Sequence, residues 1–376
     1  EIEAARGRRV TAETPANNPE LEFDGAQSVD GDATALAVGV SQTFELGGRR
    51  RKRTAVAEAG IGRAQAEARD VDREIRARAR TAYWQAVAAE RRVEVARRSA
   101  ELADKVVEVA LARYEARQAA AIDVNLAKVR AGQARAGVRR AEGEAESARA
   151  EVIAFLGVQP PVGWTLADRF PADRPVVDLE LALGAARGGR PDLAALDAAG
   201  VEAGARIDLA RAEAAPNLDI GLGYEFERDR VEGDGVDIRD SSHSVTLGLT
   251  LTLPVLNRRR GEIMEAESDR RRLAALRGAL EAEISRDVAS AEARMRAAGD
   301  VLALYEKEVL PAAEKNLEDV RAAYAAGELA IVELLRAQED WQSVLAESVD
   351  AAAGYAAARA ELESVIGRPL AEVTQR

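Results

Sequence analysis

Cysteine is absent from this sequence, histidine occurs once, at His243, and methionine twice, at Met264 and Met295. Without cysteine there can be no disulfide, no zinc–thiolate site and no cysteine nucleophile. One histidine cannot build a multi-histidine metal cluster, so no metal ligand and no cofactor is assigned. Aromatic residues make up 4% of the 376 residues, too few to fill a thick core. The hydrophobic 47% is mostly alanine and valine, which reads as long helices packed at close range. Basic residues are the minority charge, 53 against 65 acidic for a formal net charge of -12, which argues against nucleic acid as the partner. No run of about 18 apolar residues occurs, so no transmembrane helix is expected. The opening Glu1-Ile2-Glu3-Ala4-Ala5-Arg6 lacks the apolar region of a signal peptide. There is no phosphate loop, no Gly-x-Ser-x-Gly and no histidine dyad, so no catalytic residue is assigned and an enzyme is not expected.

What is present is a tandem repeat, the pattern to search for first. Ala112-Arg113-Tyr114-Glu115-Ala116 resembles Ala322-Ala323-Tyr324-Ala325-Ala326 at an offset of 210. Ile122-Asp123-Val124 and Phe155-Leu156-Gly157 find Val332-Glu333-Leu334 and Val365-Ile366-Gly367 at the same offset. Upstream, Phe44 to Arg51 matches Leu253 to Arg260 at 209, and Leu21 matches Leu218 at 197. The step from 197 to 209 places an insertion of 12 residues between Leu218 and Gly248.

Each repeat opens with two segments of period two, the mark of strands with one apolar and one polar face. Strands are expected at about 20–27, 34–44, 217–227 and 243–253, with polar links at Asp30-Gly31-Asp32 and Arg228 to Ser242. Long helices follow at about 49–116 and 258–326, about 100 Å each at 1.5 Å per residue; Pro311 should kink the second. Return helices are expected at about 122–156 and 331–366, on heptad seams through Val124, Ala131, Val138, Ala145 and Val152, and through Leu334, Trp341, Ser348, Tyr355 and Leu362. Repeat one is thus 1–157 and repeat two 191–367, the latter opening with a helix at 191–214. Residues 158–190, rich in Pro, Gly and Asp, read as a non-coiled connector, and 368–376 as a tail. Repeat one has only about twelve residues where repeat two has this opening helix, so the natural N-terminus and any signal peptide are expected upstream.

Strands of about ten residues cross a bilayer when tilted. Four of them cannot close a barrel, and an open sheet would leave unpaired backbone in lipid. Three copies would give twelve strands. This layout resembles the TolC family of outer-membrane efflux channels. The resemblance is carried by Arg190-Pro191-Asp192-Leu193, Ala212-Glu213-Ala214-Ala215-Pro216-Asn217-Leu218, Leu253-Pro254-Val255-Leu256-Asn257-Arg258, Tyr324-Ala325-Ala326-Gly327-Glu328-Leu329 and Glu333-Leu334-Leu335-Arg336-Ala337-Gln338. The longer second hairpin link and Pro254 to Glu262 look most like the CzcC branch of heavy-metal efflux channels. The fold implied is mainly α with a membrane β-barrel contribution: a homotrimer with a 12-stranded barrel in the bacterial outer membrane and coiled-coil helices forming a periplasmic α-barrel. The function implied is a passive duct for metal cations or small toxic compounds. Its implied partners are a periplasmic adaptor, an inner-membrane RND-type pump and outer-membrane lipid. A type I secretion channel is the alternative within the family; a soluble coiled-coil scaffold is the alternative outside it.

The resemblance also implies site residues. Glu333 falls on the first of two acidic positions that ring the pore in the family; Arg336 stands at the second. Asp123 is the repeat-one match of Glu333, and three like charges in a ring would attract cations. The bland reading of both is a helix N-terminal carboxylate favoured by the dipole. Tyr114, Tyr324, Arg113 and Arg321 lie where the family links neighbouring helices in the closed state. Gly327 should permit a tight turn, and Arg117 at the matching position requires a different one. Arg117, Gln118, Gly327, Glu328 and Leu329 are expected on the adaptor-docking tip. Arg49, Arg50, Arg51, Arg258, Arg259 and Arg260 place positive charge at helix N-termini, where it is unfavourable; lipid headgroups are the expected compensation.

Overall fold

Period-two alternation builds a four-stranded antiparallel sheet in the order β1-β2-β3-β4: β1 (Glu20–Gln27), β2 (Ala33–Glu45), β3 (Asn217–Gly233) and β4 (Val236–Thr252). The structure is a computed structural model. It describes residues 1–29, 33–157, 161, 163–166, 169–233 and 236–373, with backbone alone for 230–233 and 236–238. The expected link Asp30-Gly31-Asp32 lies outside the described residues, as do the last three residues of the expected tail.

The register pairs Phe23 with Val38, Val38 with Tyr224, and Tyr224 with Val245. Directly paired residues share a face. One face therefore carries Leu21, Phe23, Leu36, Val38, Val40, Ile220, Leu222, Tyr224, Val245, Leu247, Leu249 and Leu251. The other carries Glu20, Glu22, Asp24, Ser41, Thr43, Asp219, Glu225, Ser244, Thr246 and Thr250. The apolar face stays uncovered within the chain, with Phe23 73% and Leu247 67% exposed. A continuous exposed patch of this kind marks a membrane or partner surface.

β3 and β4 are longer than the alternation suggests, at 17 residues each. The expected polar link Arg228 to Ser242 is corrected: pairing continues through Arg228–Ser241 and Asp229–Asp240 to Gly233–Val236. A backbone ladder needs register, not apolar side chains, so a charged stretch of strand carries no hydrophobic signal. The 12-residue insertion therefore lengthens a hairpin.

The helices are α1 (Ile2–Glu13), α2 (Arg49–Glu115), α3 (Ala121–Leu156), α4 (Leu179–Gly189), α5 (Pro191–Glu213), α6 (Arg260–Leu304), α7 (Leu310–Ala326), α8 (Ile331–Ile366) and α9 (Leu370–Val373). No helix among the described residues is long and apolar enough to cross a membrane. The return helices α3 and α8 bury Val124, Ala131, Ala145 and Val152, and Leu334, Leu345, Tyr355, Leu362 and Ile366. Both stop at glycines in the left-handed region, Gly157 (φ 65°) and Gly367 (φ 79°), which form αL caps. Between α6 and α7 lies a π-helical turn, Tyr305–Val309, in which the Leu310 N–H reaches back to the Tyr305 carbonyl. This is the local answer to Pro311, which lacks an N–H and crowds the carbonyl four residues before it.

Contacts divide the chain into two units: residues 1–70 with 191–280, and residues 71–190 with 281–376. The first holds the sheet, α1 and α5. There α5 buries Glu202, 5% exposed, paired with Arg206 at 2.5 Å and Arg63 at 3.3 Å. The second holds the helical hairpins and the connector. The connector is corrected in one respect: it contains α4, whose start is capped by Asp178 accepting the Leu181 N–H at 3.0 Å. Pro171, Pro175 and Gly188-Gly189 dominate its composition and hide an 11-residue helix.

Connector residues 173 and 174 are clamped to the second hairpin. Arg359 Nη1 donates to Asp173 Oδ1 at 2.7 Å, the Tyr355 hydroxyl donates to the Asp173 carbonyl at 2.9 Å, and Arg174 meets Glu306 at 2.5 Å. The hydrogen bond from Arg359 holds the Asp173 carboxyl below the usual aspartate range. A carboxyl lowered in the folded state stabilises it above the unfolded pKa and loses that contribution as pH falls through the folded value. The gap in urea midpoint between wild type and Arg359→Gln should therefore be present at neutral pH and narrow in acid below the usual aspartate range. A gap constant with pH would show that the ion pair contributes nothing.

Candidate functional sites at the strand-to-helix collar and the helix tips

In the first unit, the basic start of α2 is placed against helix ends of opposite polarity. Arg49 donates through Nε to the Ala212 carbonyl at 3.2 Å, through Nη2 to the carbonyls of Glu213 at 3.2 Å and of Ala215, and through Nη1 to Asn217 Oδ1 at 2.7 Å. These carbonyls end α5, where the backbone carries partial negative charge. Arg53 does the same for α1, reaching the carbonyls of Ala12 at 3.3 Å and Thr14 at 3.1 Å while gripping Glu45 with two bonds of 2.8 and 3.1 Å. Arg259 pairs with Glu213 at 3.0 Å. The unfavourable charge at the α2 N-terminus is thus compensated by the C-termini of the two helices that lead into strands. Arg50, Arg51, Arg258 and Arg260 are exposed. Gly47 (φ 73°) lets this junction close: a Cβ there would sit 2.6 Å from the Ala215 methyl.

In the second unit, the two tip turns have the same geometry. The Gln118 N–H reaches the Arg113 carbonyl at 2.7 Å and Arg117 N–H the Tyr114 carbonyl at 2.9 Å; Glu328 reaches Ala323 at 2.9 Å and Gly327 reaches Tyr324 at 3.0 Å. This is the paired bonding of the Schellman motif, twice. The expectation that Arg117 imposes a different turn is corrected: Arg117 adopts φ 61° beside Gly327 at 86°. A left-handed non-glycine residue costs roughly 1–2 kcal/mol, small enough for the turn's bonds to outweigh.

The matching tyrosines differ. Tyr114 is 47% exposed, whereas Tyr324 is 2% exposed among Val106, Ala110, Val124, Ala127, Leu317, Ile331 and Leu334. Burial pushes the Tyr324 hydroxyl up. Over its ring lies the Arg113 guanidinium, 4.5 Å from the centroid, a cation–π contact. Arg113 also donates to the Tyr324 carbonyl at 2.6 Å and the Gln118 carbonyl at 3.5 Å. One side chain therefore holds the ends of both turns. Arg321 does not share this role; it is exposed on a groove of about 330 Å³ lined by Lys105, Val109, Glu318 and Tyr324. Below the tips, Arg130 meets Glu339 at 2.5 Å and Arg92 meets Asp350 at 2.6 Å, joining the first hairpin to α8. The sequence marks none of these pairs, because their partners are far apart in it.

Asp123 accepts the Ala120 N–H at 3.2 Å, so it caps its own helix. Glu333 and Arg336 are exposed on the first turns of α8, and Arg117, Gln118, Gly327, Glu328 and Leu329 are exposed on the turns. Ile122 and Val332, matching residues of the two repeats, are 72% and 58% exposed.

The family model described as outer membrane efflux protein matches residues 2–158 and 182–368. The chain belongs to this outer membrane efflux protein family. Protein CyaE of Bordetella pertussis is 32% identical over 269 residues, covering 70% of this chain and 55% of CyaE; the chain spans about half the length of that relative. The structure of the outer-membrane channel OprN superposes with a TM-score of 0.76 at 19% identity, covering 97% of this chain and 85% of OprN. That of CusC superposes with a TM-score of 0.78 at 15% identity, covering 98% and 87%. At these identities the likeness is one of fold: the efflux-family chain has the TolC-like architecture of four strands and long helices.

Two outcomes test the geometry of this efflux-family chain. Arg49→Ala strands the carbonyls that end α5 and should lower stability by about 1–3 kcal/mol in urea unfolding; no loss would mean that water replaces the arginine. Arg113→Ala should raise amide exchange in both tip turns together, whereas a rise confined to residues 116–120 would deny the link to Tyr324.

Proposed function

We propose that this chain is the outer-membrane duct of a tripartite efflux system. Three copies would close the barrel, and metal cations or small toxic compounds would pass, driven by an inner-membrane pump through a periplasmic adaptor. The observation that carries this reading is the sheet. It has one apolar face, one polar face rich in carboxylates, and edges β1 and β4 that no strand among the described residues pairs. An apolar sheet face is suited to lipid, but unpaired edges are not. Joining β4 of one copy to β1 of the next satisfies both requirements, and three copies give twelve strands, an even number within the range of membrane barrels.

The helix tips support a gate. Arg113 and Tyr324 tie the two hairpins of one chain together and would hold the tip shut. Exposed Glu333, one per copy, would form an acidic ring that favours cations, with Asp123 contributing less because its carboxylate is engaged in capping. Arg117, Gln118, Gly327, Glu328 and Leu329, flanked by Ile122 and Val332, offer the adaptor two similar polar-and-apolar surfaces. Arg50, Arg51, Arg258 and Arg260 remain candidates for lipid headgroups; Arg49 and Arg259 serve the junction instead. The segment Pro254 to Glu262 and the longer second hairpin favour the heavy-metal branch of cargo.

Conductance in planar bilayers tests the duct. Wild type should conduct with a preference for cations, Glu333→Ala should lose much of that preference, and Arg113→Ala should raise the open fraction. An unchanged preference removes Glu333 from the pore. A monodisperse monomer in detergent-free buffer would overturn the duct altogether.

A further inference from the structure

A hydroxyl inside a helix can turn back onto the carbonyl one turn earlier. Thr81 does so at 3.1 Å on α2, and Ser285 at 2.9 Å on α6. Ser99 on α2 does not. It is 6% exposed, and its Oγ, closed off from solvent, has no hydrogen-bond partner among the described residues. Gln338 Nε2 on α8 is in the same condition. Native structures rarely leave a buried donor unpaired without a reason.

Both residues line one cavity of about 230 Å³, walled by α2, α3 and α8 within the second unit. The charged residues of its lining are Arg130, Arg140 and Glu339. Glu339 is taken by Arg130 at 2.5 Å, and Arg130 also donates to Gln133 Oε1 at 3.3 Å. Arg140 is exposed and meets no carboxylate among the described residues. Donors are therefore what the cavity leaves over: the Ser99 hydroxyl, the Gln338 amide and the Arg140 guanidinium. Side-chain rotation would carry the first two to the space that their residues line. Leu102, Leu335 and Trp341 add an apolar wall. The volume is many times that of one water, and water would leave both the arginine and the apolar wall without a counterpart.

We propose that this cavity binds a small organic carboxylate. Its oxygens accept from Arg140, Ser99 and Gln338, and its apolar body lies against Leu102, Leu335 and Trp341. A guanidinium–carboxylate bond is charge-assisted and so among the stronger hydrogen bonds. The ligand touches α2, α3 and α8 at once, and so adds to the ties that Arg130–Glu339 and Arg92–Asp350 make between the first hairpin and α8. The inference goes beyond the duct reading and does not depend on it, since it needs only the packing of these three helices. It also sets stability against binding: the donors that serve the ligand are unpaired in the free protein, where each costs about 1–3 kcal/mol.

The test titrates the full chain in detergent with benzoate, benzyl alcohol and phosphate at constant ionic strength, followed by calorimetry and tryptophan fluorescence. Benzoate should bind wild type at least tenfold more tightly than benzyl alcohol, which lacks the charge, or phosphate, which lacks the apolar body. Trp341 borders the cavity, whereas Trp84 and Trp164 do not, so the fluorescence change should vanish in Trp341→Phe. Arg140→Gln should weaken benzoate binding roughly tenfold, and so should the double variant Ser99→Ala, Gln338→Leu. In urea that double variant should unfold at the same midpoint as wild type or higher, because it removes buried donors without stranding an acceptor. Absence of benzoate binding, equal binding by the variants, or equal binding of benzyl alcohol or phosphate overturns the inference. A fluorescence change that survives Trp341→Phe places the ligand elsewhere and overturns it too. So does a double variant of lowered midpoint, which would make Ser99 and Gln338 structural.

Discussion

Backbone hydrogen bonding at the sheet edges is the constraint from which the rest follows. β1 and β4 each present a row of N–H and C=O groups without a strand partner among the described residues, beside a face of Leu, Val, Phe and Tyr that water does not favour. In water such edges invite aggregation; in lipid each unsatisfied group costs several kcal/mol. On the proposed reading, self-association would be a condition of stability rather than an addition to it. It would also account for the thin core: in the proposed duct, a wall one helix or one strand thick needs close contact between neighbours, which alanine and glycine supply, and little interior.

The collar shows how the two kinds of wall are joined. A strand pair must hand over to a helix without leaving the last carbonyls of the incoming helix unsatisfied. Arg49 and Arg53, set one turn apart at the start of α2, each take one incoming helix, α5 and α1 respectively. The duplication is visible in this: each copy of the repeat delivers one helix end, and one short basic run receives both.

Much of the layout was legible in the sequence because it depends on period and punctuation. Alternation in Leu218 to Phe226 and Val245 to Leu253 marks strands, and seven-residue spacing from Val124 and Leu334 marks the return helices, with Gly157 and Gly367 as their stops. What stayed hidden depends on partners distant in sequence. The charged rows beyond Glu227 have no apolar signal, and α4 is masked by flanking Pro and Gly. Arg117 accepts a left-handed conformation because its turn is doubly hydrogen-bonded, which no local preference announces. At the tip, Tyr114 and Tyr324 look equivalent in sequence; Arg113, matched by Ala323 in the other repeat, buries one and leaves the other exposed. The basic runs at 49–53 and 258–260 look alike too, yet only Arg49 and Arg53 reach the carbonyls of Ala212 to Ala215 or Ala12 to Thr14, Arg259 pairs with the Glu213 carboxylate, and Arg50, Arg51, Arg258 and Arg260 are exposed.

The π turn at Tyr305–Val309 has a bearing on how the two repeats stay in phase. Their offset is 209 at the strand-to-helix junction and 210 at the tip, so the second rod holds one residue more than the first. In a regular helix one extra residue would rotate everything after it by about 100°, and Leu317 and Tyr324 would swing out of the core they fill. A π turn takes up one residue in a wider loop of the same helix, with the Leu310 N–H bonded to Tyr305 instead of Glu306. It acts as a spacer that absorbs the extra residue, so that the longer rod still brings Tyr324 beneath the Arg113 guanidinium.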